Sequence, residues 1–456
     1  MSPIVRKTIF YVFVGLFFIT APLVLFDTAG YRYNFAKNRV EKTGILRIDS
    51  LPTGATVALN GEIMSEKTPA QLTRLLPDEY LVRVTKQGFL PWQKKLEVRN
   101  GEATFAKEIV LFADVAPTLV AAVDIRSATI SDDGSTIVAL RVTKNVPQIV
   151  MSRDNGVDWT VVATIPRLPS NTFFLLSPDN MFVLIGVSYP EGNIDTKIFS
   201  LSTTAVPIDL TSLVGRRSNA AMHWSNNSAL LTVASLISII TINPVTNNIS
   251  IAPMPNTQDA WRDGKTLYTL TDRATDVALQ KNDVDNVSRA NTTSDVAIFS
   301  ALPWGQYRFL SVTDGYIVVR DANQQKIFVI DKKNGDILMS FLGRDIAWNP
   351  TNNARLLAWT DTEIDVIDLA TKTKTLVTRV STPIGNCAWH PSGNAIIFST
   401  PNAIIATELD NRGEKNSVTL AQIKTPPVFT IDATGKNLFF SANINDVNGF
   451  FTRNLQ

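Results

Sequence analysis

The chain has 456 residues, more than one ordinary core holds, so two or three domains are expected. Its 43 Lys and Arg against 41 Asp and Glu leave a formal net charge of +2, which argues against the clustered basic surface of a nucleic-acid binder. Two histidines and one cysteine argue against a histidine-rich metal centre, rule out an internal disulfide, and give no reason to expect a cofactor or a bound metal.

Residues 8–26, TIFYVFVGLFFITAPLVLF, carry no charge. As a helix they span about 28 Å, close to the roughly 30 Å of a bilayer's hydrocarbon core. Arg6 and Lys7 precede them, as in a signal peptide or a signal anchor. A cleavable signal has a shorter apolar stretch and a small-residue cleavage site, whereas here the stretch is long and runs into DTAGYRYN. The reading is therefore residues 1–30 as a short cytoplasmic tail and a transmembrane anchor, with a cleaved signal as the alternative. Arg32, Lys37, Arg39 and Lys42 on the far side blur the positive-inside count. A tail this short stays cytoplasmic and leaves the bulk of the chain outside the cell membrane.

A polar linker is expected over 31–43. Beyond it, Leu46 and Ile48 alternate with Arg47 and Asp49, and Val57 and Leu59 with Thr56 and Ala58, the period of half-buried strands. Asn60-Gly61 is a tight-turn pair, since both residues tolerate positive φ. Tyr80, Val82 and Val84, then Leu96 and Val98, continue the alternation, and prolines punctuate the strands. Residues 44–112 thus read as a small antiparallel sandwich. Pro52-Thr53-Gly54-Ala55, then Asn60-Gly61, Thr68-Pro69, Leu75-Leu76-Pro77, Tyr80 and Lys86-Gln87-Gly88-Phe89 with Trp92 together resemble a PEGA domain, with Asp78 where glycine is usual. The resemblance implies a bacterial or archaeal surface protein, and a spacer or adhesion role rather than catalysis.

From 113 to 456 the chain repeats. The turns SDDG at 131, SPDN at 177, SNNS at 225, RDGK at 262, TDGY at 313, NPTN at 349, HPSG at 390 and DATG at 432 recur about every 43 residues. Each precedes a mostly apolar run such as IVAL, FVLI or AIIF, as in strands covered on both faces. A second turn follows 18 to 25 residues later. This predicts four-stranded blades and a C-terminal β-propeller of eight blades, or seven if the irregular fourth repeat is not one. The last repeat stops after three strands, and PTLVAAVDI at 117–125 is placed to supply its fourth. AWHPSGNAIIF and AWNPTNNARLLAW resemble TolB-type and WD-repeat propellers. The overall expectation is an all-β protein behind one N-terminal transmembrane helix.

SRDNGVDW at 152–159 resembles the Asp-box of sialidase-like propellers, and falls where a second turn belongs. Ser152, Asp154, Gly156 and Trp159 fit a turn-stabilising role rather than a catalytic one. Cys387 reads as a buried inert thiol. His390 reads as a surface turn residue, and His223 as a position that could face the channel. Trp224, Trp261, Trp348 and Trp389, each just before a turn, read as packing between blades rather than a sugar platform. Asp283 and Asp285 lack the glycine and glutamate of a calcium loop. Asn226, Asn248, Asn286 and Asn291 head N-x-S/T sequons, and no G-x-S-x-G elbow is present.

Together these features describe a membrane-anchored extracytoplasmic binding or scaffolding protein, whose propeller engages an envelope protein or a cell-wall or surface polymer. The alternatives are a glycan-active lyase or hydrolase using the propeller funnel, and a sensor facing the cytoplasm.

Overall fold

The computed structural model describes residues 3–456 except 36, 132, 204–205, 215–219, 227–229, 285–297 and 426. Two compact units result: residues 1–115 with 407–418 and 456, and residues 116–406 with 419–455.

The first unit opens with a helix over Pro3–Thr28. Its stretch Val5–Thr28 is long and apolar enough to cross a membrane, and its apolar side chains are not buried. Ala29 and Gly30 close it, Gly30 at φ 82°. Where a polar linker was expected, the strands Tyr31–Asn34 and Arg39–Lys42 form a two-stranded hairpin.

Two sheets follow. One orders Ala70–Leu75, Gly44–Leu51 and Ala103–Val110; the other orders Glu62–Lys67, Thr56–Leu59, Asp78–Thr85 and Trp92–Val98. The alternating residues meet between them, with Leu46, Ile48, Val57, Val82, Val84, Leu96 and Val98 all nearly inaccessible. Burying each such side chain contributes about 1.5–3 kcal/mol. The sandwich is not wholly antiparallel, because Gly44–Leu51 pairs in parallel with Ala103–Val110. The whole second sheet lies between those two strands in sequence, a connection long enough for parallel pairing.

The second unit is β-propeller-like. Among the described residues, 116–455 contain eight four-stranded antiparallel sheets in chain order, including a complete one from the irregular fourth repeat. Their first strands are Ile125–Ile130, Asn171–Leu176, Ala221–Trp224, Thr257–Asp263, Tyr307–Val312, Asp345–Asn349, Cys387–Trp389 and Phe429–Ile431. The apolar runs form the second strands; Ile137, Val138 and Ala139, for example, have no accessible surface.

The turn after the first strand is built alike in four of the sheets. In 131–136, 177–182, 390–395 and 432–437 the first residue's N–H donates to the sixth residue's carbonyl, and its own carbonyl accepts from the fourth residue's N–H. Ser131 and Ser177 add a hydroxyl that accepts from Thr136 N and Phe182 N, each at 2.9 Å.

The eighth sheet takes its outermost strand, Thr118–Ala121, from the start of the unit, paired antiparallel with Val447–Asn454. Phe439 and Phe450 of this sheet pack with Ile137 of the first, beside Ile125, Ile130 and Trp159.

The turn 152–159 sits at that seam. Gly156 has φ 88°, and a Cβ there would lie 2.3 Å from Phe450 Cδ1. Gly156→Ala therefore combines left-handed strain with overpacking, and should lower the unfolding free energy by about 2–4 kcal/mol in a denaturant titration. A loss below 0.5 kcal/mol would show that this seam is loose.

Candidate functional site

The first strands of the third, fourth and fifth sheets bring together His223, Asp259, Trp261 and Phe309. Three other tryptophans set the pattern from which this cluster departs. Trp224 Nε1 donates to Leu175 O, Trp348 Nε1 to Ser311 Oγ, and Trp389 Nε1 to Ala347 O, at 2.8, 3.0 and 2.9 Å. Each reaches the first strand of the preceding sheet, fastening one sheet to the next.

Trp261 makes no such bond. Its ring lies against His223, with centroids 4.6 Å apart. Here the seam is fastened by His223 Nε2, 2.9 and 3.0 Å from the Asp259 carboxylate oxygens. Asp259 is fully buried and also accepts from Ala260 N at 2.7 Å and Phe309 N at 2.8 Å, so it ties three sheets together. His223 retains 17% side-chain exposure. The sequence signal was available: two places before the tryptophan, the other repeats carry Met222, Ile346 and Cys387, and this one carries a carboxylate.

Farther along the same strand lies a cleft of about 470 Å3 between the fourth and fifth sheets. It combines the carboxylates Asp263, Asp314 and Asp331 with Lys281, Lys332 and Lys333, and with Tyr268 and Tyr316. Lys332 Nζ bonds Asp263 Oδ2 at 2.6 Å and Thr313 O at 2.7 Å. Tyr316 stacks on Trp348, with ring centroids 5.7 Å apart. Burial, with Asp263 nearby, pushes the Tyr268 phenol up to about 12 and keeps it protonated. Such a cleft offers both donors and acceptors to a polar ligand. Sequence reasoning did not find it, because its residues come from five strands and two turns that only the stacking of two sheets brings together.

The remaining candidates are placed as follows. In the turn 152–159, Ser152 Oγ donates to Asp154 Oδ1 at 2.6 Å and accepts from Gly156 N at 2.9 Å. Asp154 accepts from Asp158 N, and Trp159 Nε1 donates to Gly156 O at 2.8 Å. The Ser152 hydroxyl, followed by the Asp158 amide, holds the Asp154 carboxyl below the usual range. The four residues form one closed turn.

Thr68 is the hub of the sandwich loop. Its hydroxyl accepts from Ala55 N at 2.9 Å and meets Ser50 Oγ at 2.7 Å, while Gly54 N donates to Thr68 O. Pro52 and Pro69 follow cis bonds, and Pro52 O accepts from Ser50 Oγ. Asn60 and Gly61 both have positive φ, and Asn60 Oδ1 accepts from Leu81 N. Gly88 also has positive φ. Within the first unit Trp92 Nε1 donates to Glu408 Oε2 at 2.7 Å, and the buried Lys94 pairs with Glu408 and Asp410. Nothing in the sequence marks Lys94, whose partners lie more than 300 residues away.

Cys387 is buried, and burial raises its thiol pKa well above the ordinary value. His390 is not a surface residue: only 1% of it is exposed. Its Nδ1 meets Ser392 Oγ at 2.8 Å and its Nε2 meets Gly435 O of the eighth sheet at 3.1 Å. It is buried because this turn packs against the neighbouring sheet's turn, where Gly435 leaves room. Asp283 ends the strand Asp276–Asp283. Asn226 donates to Val312 O, and Asn248 starts an outer strand. Asp285, Asn286 and Asn291 lie outside the described residues. Among the described residues no group of three metal-ligating side chains converges.

Residues 43–109 match the PEGA domain. No curated protein matches the chain. Solved structures similar to this chain include "Crystal structure of the eukaryotic initiation factor" at 11% identity and TM-score 0.49, covering 75% of this chain and 90% of that one, and "Crystal Structure of Mitotic Checkpoint Complex" at 12% and 0.43, covering 75% and 92%.

Two expectations follow. Asp259→Ala strands His223 and two amides, and should cost about 3 kcal/mol in urea unfolding, against less than half of that for His223→Gln, which keeps a donor. Burial lowers the His390 pKa below the ordinary 6.5. The unfolded chain therefore protonates first, so stability is full above pH 6.5 and falls as the pH drops below it. His390→Asn should flatten the decline in Tm between pH 6.5 and 5.

Proposed function

We propose that this protein is a membrane-anchored extracytoplasmic binding and scaffolding protein. In this reading its helix holds the PEGA domain at the cell surface, and the eight sheets are the blades of a closed propeller that engages an envelope protein or surface polymer. The observation that carries the reading is the uncharged stretch 8–26 of the helix Pro3–Thr28, long and apolar enough to cross a membrane and not buried, joined to β units that have well-formed cores of their own. A rigid ring that presents many loops suits ligand binding. The cleft between the fourth and fifth sheets supplies the polar contact, since lysines, carboxylates and phenols there match a ligand that carries donors and acceptors.

The test has two arms. Protease added to intact cells should remove the C-terminal units; protection would favour the cytoplasm-facing alternative. Detergent-solubilised full-length protein should retain its envelope ligand on capture, and the pair Lys281→Glu with Asp314→Lys should reduce retention about tenfold, the loss expected for one charge-assisted hydrogen bond. Equal retention would remove the cleft from the binding surface. Turnover of the captured glycan would instead favour the enzyme reading.

A further inference from the structure

We propose that the hairpin 31–42 is an aromatic foot that rests on the bilayer surface, the lipid headgroup layer being the occupant of its exposed face. This inference deepens the anchor reading and rests on it.

Strand pairing sets Tyr31 opposite Lys42 and Tyr33 opposite Val40. Directly opposed residues share a side of a sheet, and alternate residues along a strand do the same. Tyr31, Tyr33, Val40 and Lys42 therefore occupy one side, and Phe35 continues it at the turn. Arg32, Asn34, Arg39 and Glu41 occupy the other.

The two sides differ, although Arg32 and Arg39 stay exposed. Asn34 and Glu41 are buried, with Asn34 Nδ2 donating to Glu41 Oε2 at 2.7 Å. Lys37 Nζ reaches Pro77 O at 2.9 Å, and Arg32 Nη1 reaches Arg74 O at 3.4 Å. Thr43 N and Oγ1 both bond Gly30 O, and Arg74 pairs with Asp27 at the end of the helix. The hairpin is thus fastened to the sandwich and to the helix terminus.

Its other side is open: Phe35 is 84% exposed, Val40 54% and Tyr33 46%. Tyr33 and Phe35 meet edge-on at 5.0 Å, and Tyr31 meets Phe26 of the helix at 5.9 Å. An aromatic contact therefore joins the apolar surface of the helix to the hairpin. Only Ala29 and Gly30 separate the two in sequence.

That continuity selects the occupant. A helix that spans the bilayer brings the residues just after it to the headgroup level, where aromatic rings are favoured and Lys and Arg reach phosphates. Lys42 beside Tyr31 matches this chemistry. A foot fastened on its far side would fix the sandwich against the membrane rather than leave it on a free tether.

The test uses the full chain in vesicles of phosphatidylcholine and phosphatidylglycerol, spin-labelled one site at a time through Phe35→Cys, Val40→Cys, Phe18→Cys or Glu62→Cys. Native Cys387 is buried and escapes labelling. Collision rates with oxygen and with a soluble nickel chelate report lipid or water. At 35 and 40 the nickel rate should fall several-fold below that at 62, while the oxygen rate rises. Water-like labels at 35 and 40 beside a lipid-like label at 18 would overturn the foot and leave the anchor standing. Labels at 35 and 40 shielded from both reagents would mean that protein covers the face, and would also overturn it. A water-like label at 18 would overturn the anchor itself.

Discussion

The pairing of Thr118–Ala121 with Val447–Asn454 is the contact on which the second unit depends. It joins residues more than 300 positions apart, and it converts a three-stranded last repeat into a full sheet. The strand that receives it is adapted to the approach: a Cβ on Gly449 would meet Leu119 Cδ1 at 2.4 Å and Ala121 O at 2.8 Å. Behind that pairing, Phe450 presses on the turn at Gly156 and on Trp159, so the last sheet and the first share a core. Without the pairing, the last sheet would end in an unpaired edge, and the loop-closure entropy of a long chain would be offset by side-chain packing alone.

Between neighbouring sheets the same problem is solved repeatedly by one device, a tryptophan whose ring fills the seam and whose N–H finds a partner in the sheet before. The fourth repeat replaces that device with His223 and Asp259. A carboxylate with no exposure demands donors from every side, and it obtains them from three sheets at once. The exchange places a buried carboxylate in this seam, next to the cleft with mixed charge. The least regular repeat in the sequence is thus the one where the succession of sheets departs from its own rule.

Much of the fold was legible because it is periodic. Turn spacing near 43 residues, continuous apolar runs and the orphan strand at 117–125 all state locally what the sheets require, and Asn60-Gly61 states its turn in two residues. What escaped reading depended on neighbours remote in sequence. His390 looks like a surface turn residue until Gly435 of another repeat covers it. Lys94 looks like a strand's solvent charge until Glu408 and Asp410 enclose it. The segment 31–43 is polar in composition, and only the pairing of Tyr33 with Val40 sorts its rings from its charges. The parallel pair in the sandwich was hidden for the same reason, since alternation shows which face a residue takes but not which strand lies beside it. Of the candidate site, the histidine was visible; its carboxylate was visible only as an exception to the repeat.

The measurement that bears most directly on this account is hydrogen exchange of the full-length protein, followed peptide by peptide through residues 116–125 and 445–456. If the two ends of the unit form one sheet, the amides of 118–121 exchange as slowly as those of 447–454, and both lose protection together with the first sheet as denaturant rises. Rapid exchange at 118–121 beside a protected 447–454 would contradict it, because the last sheet would then have three strands and the ends of the unit would not be joined.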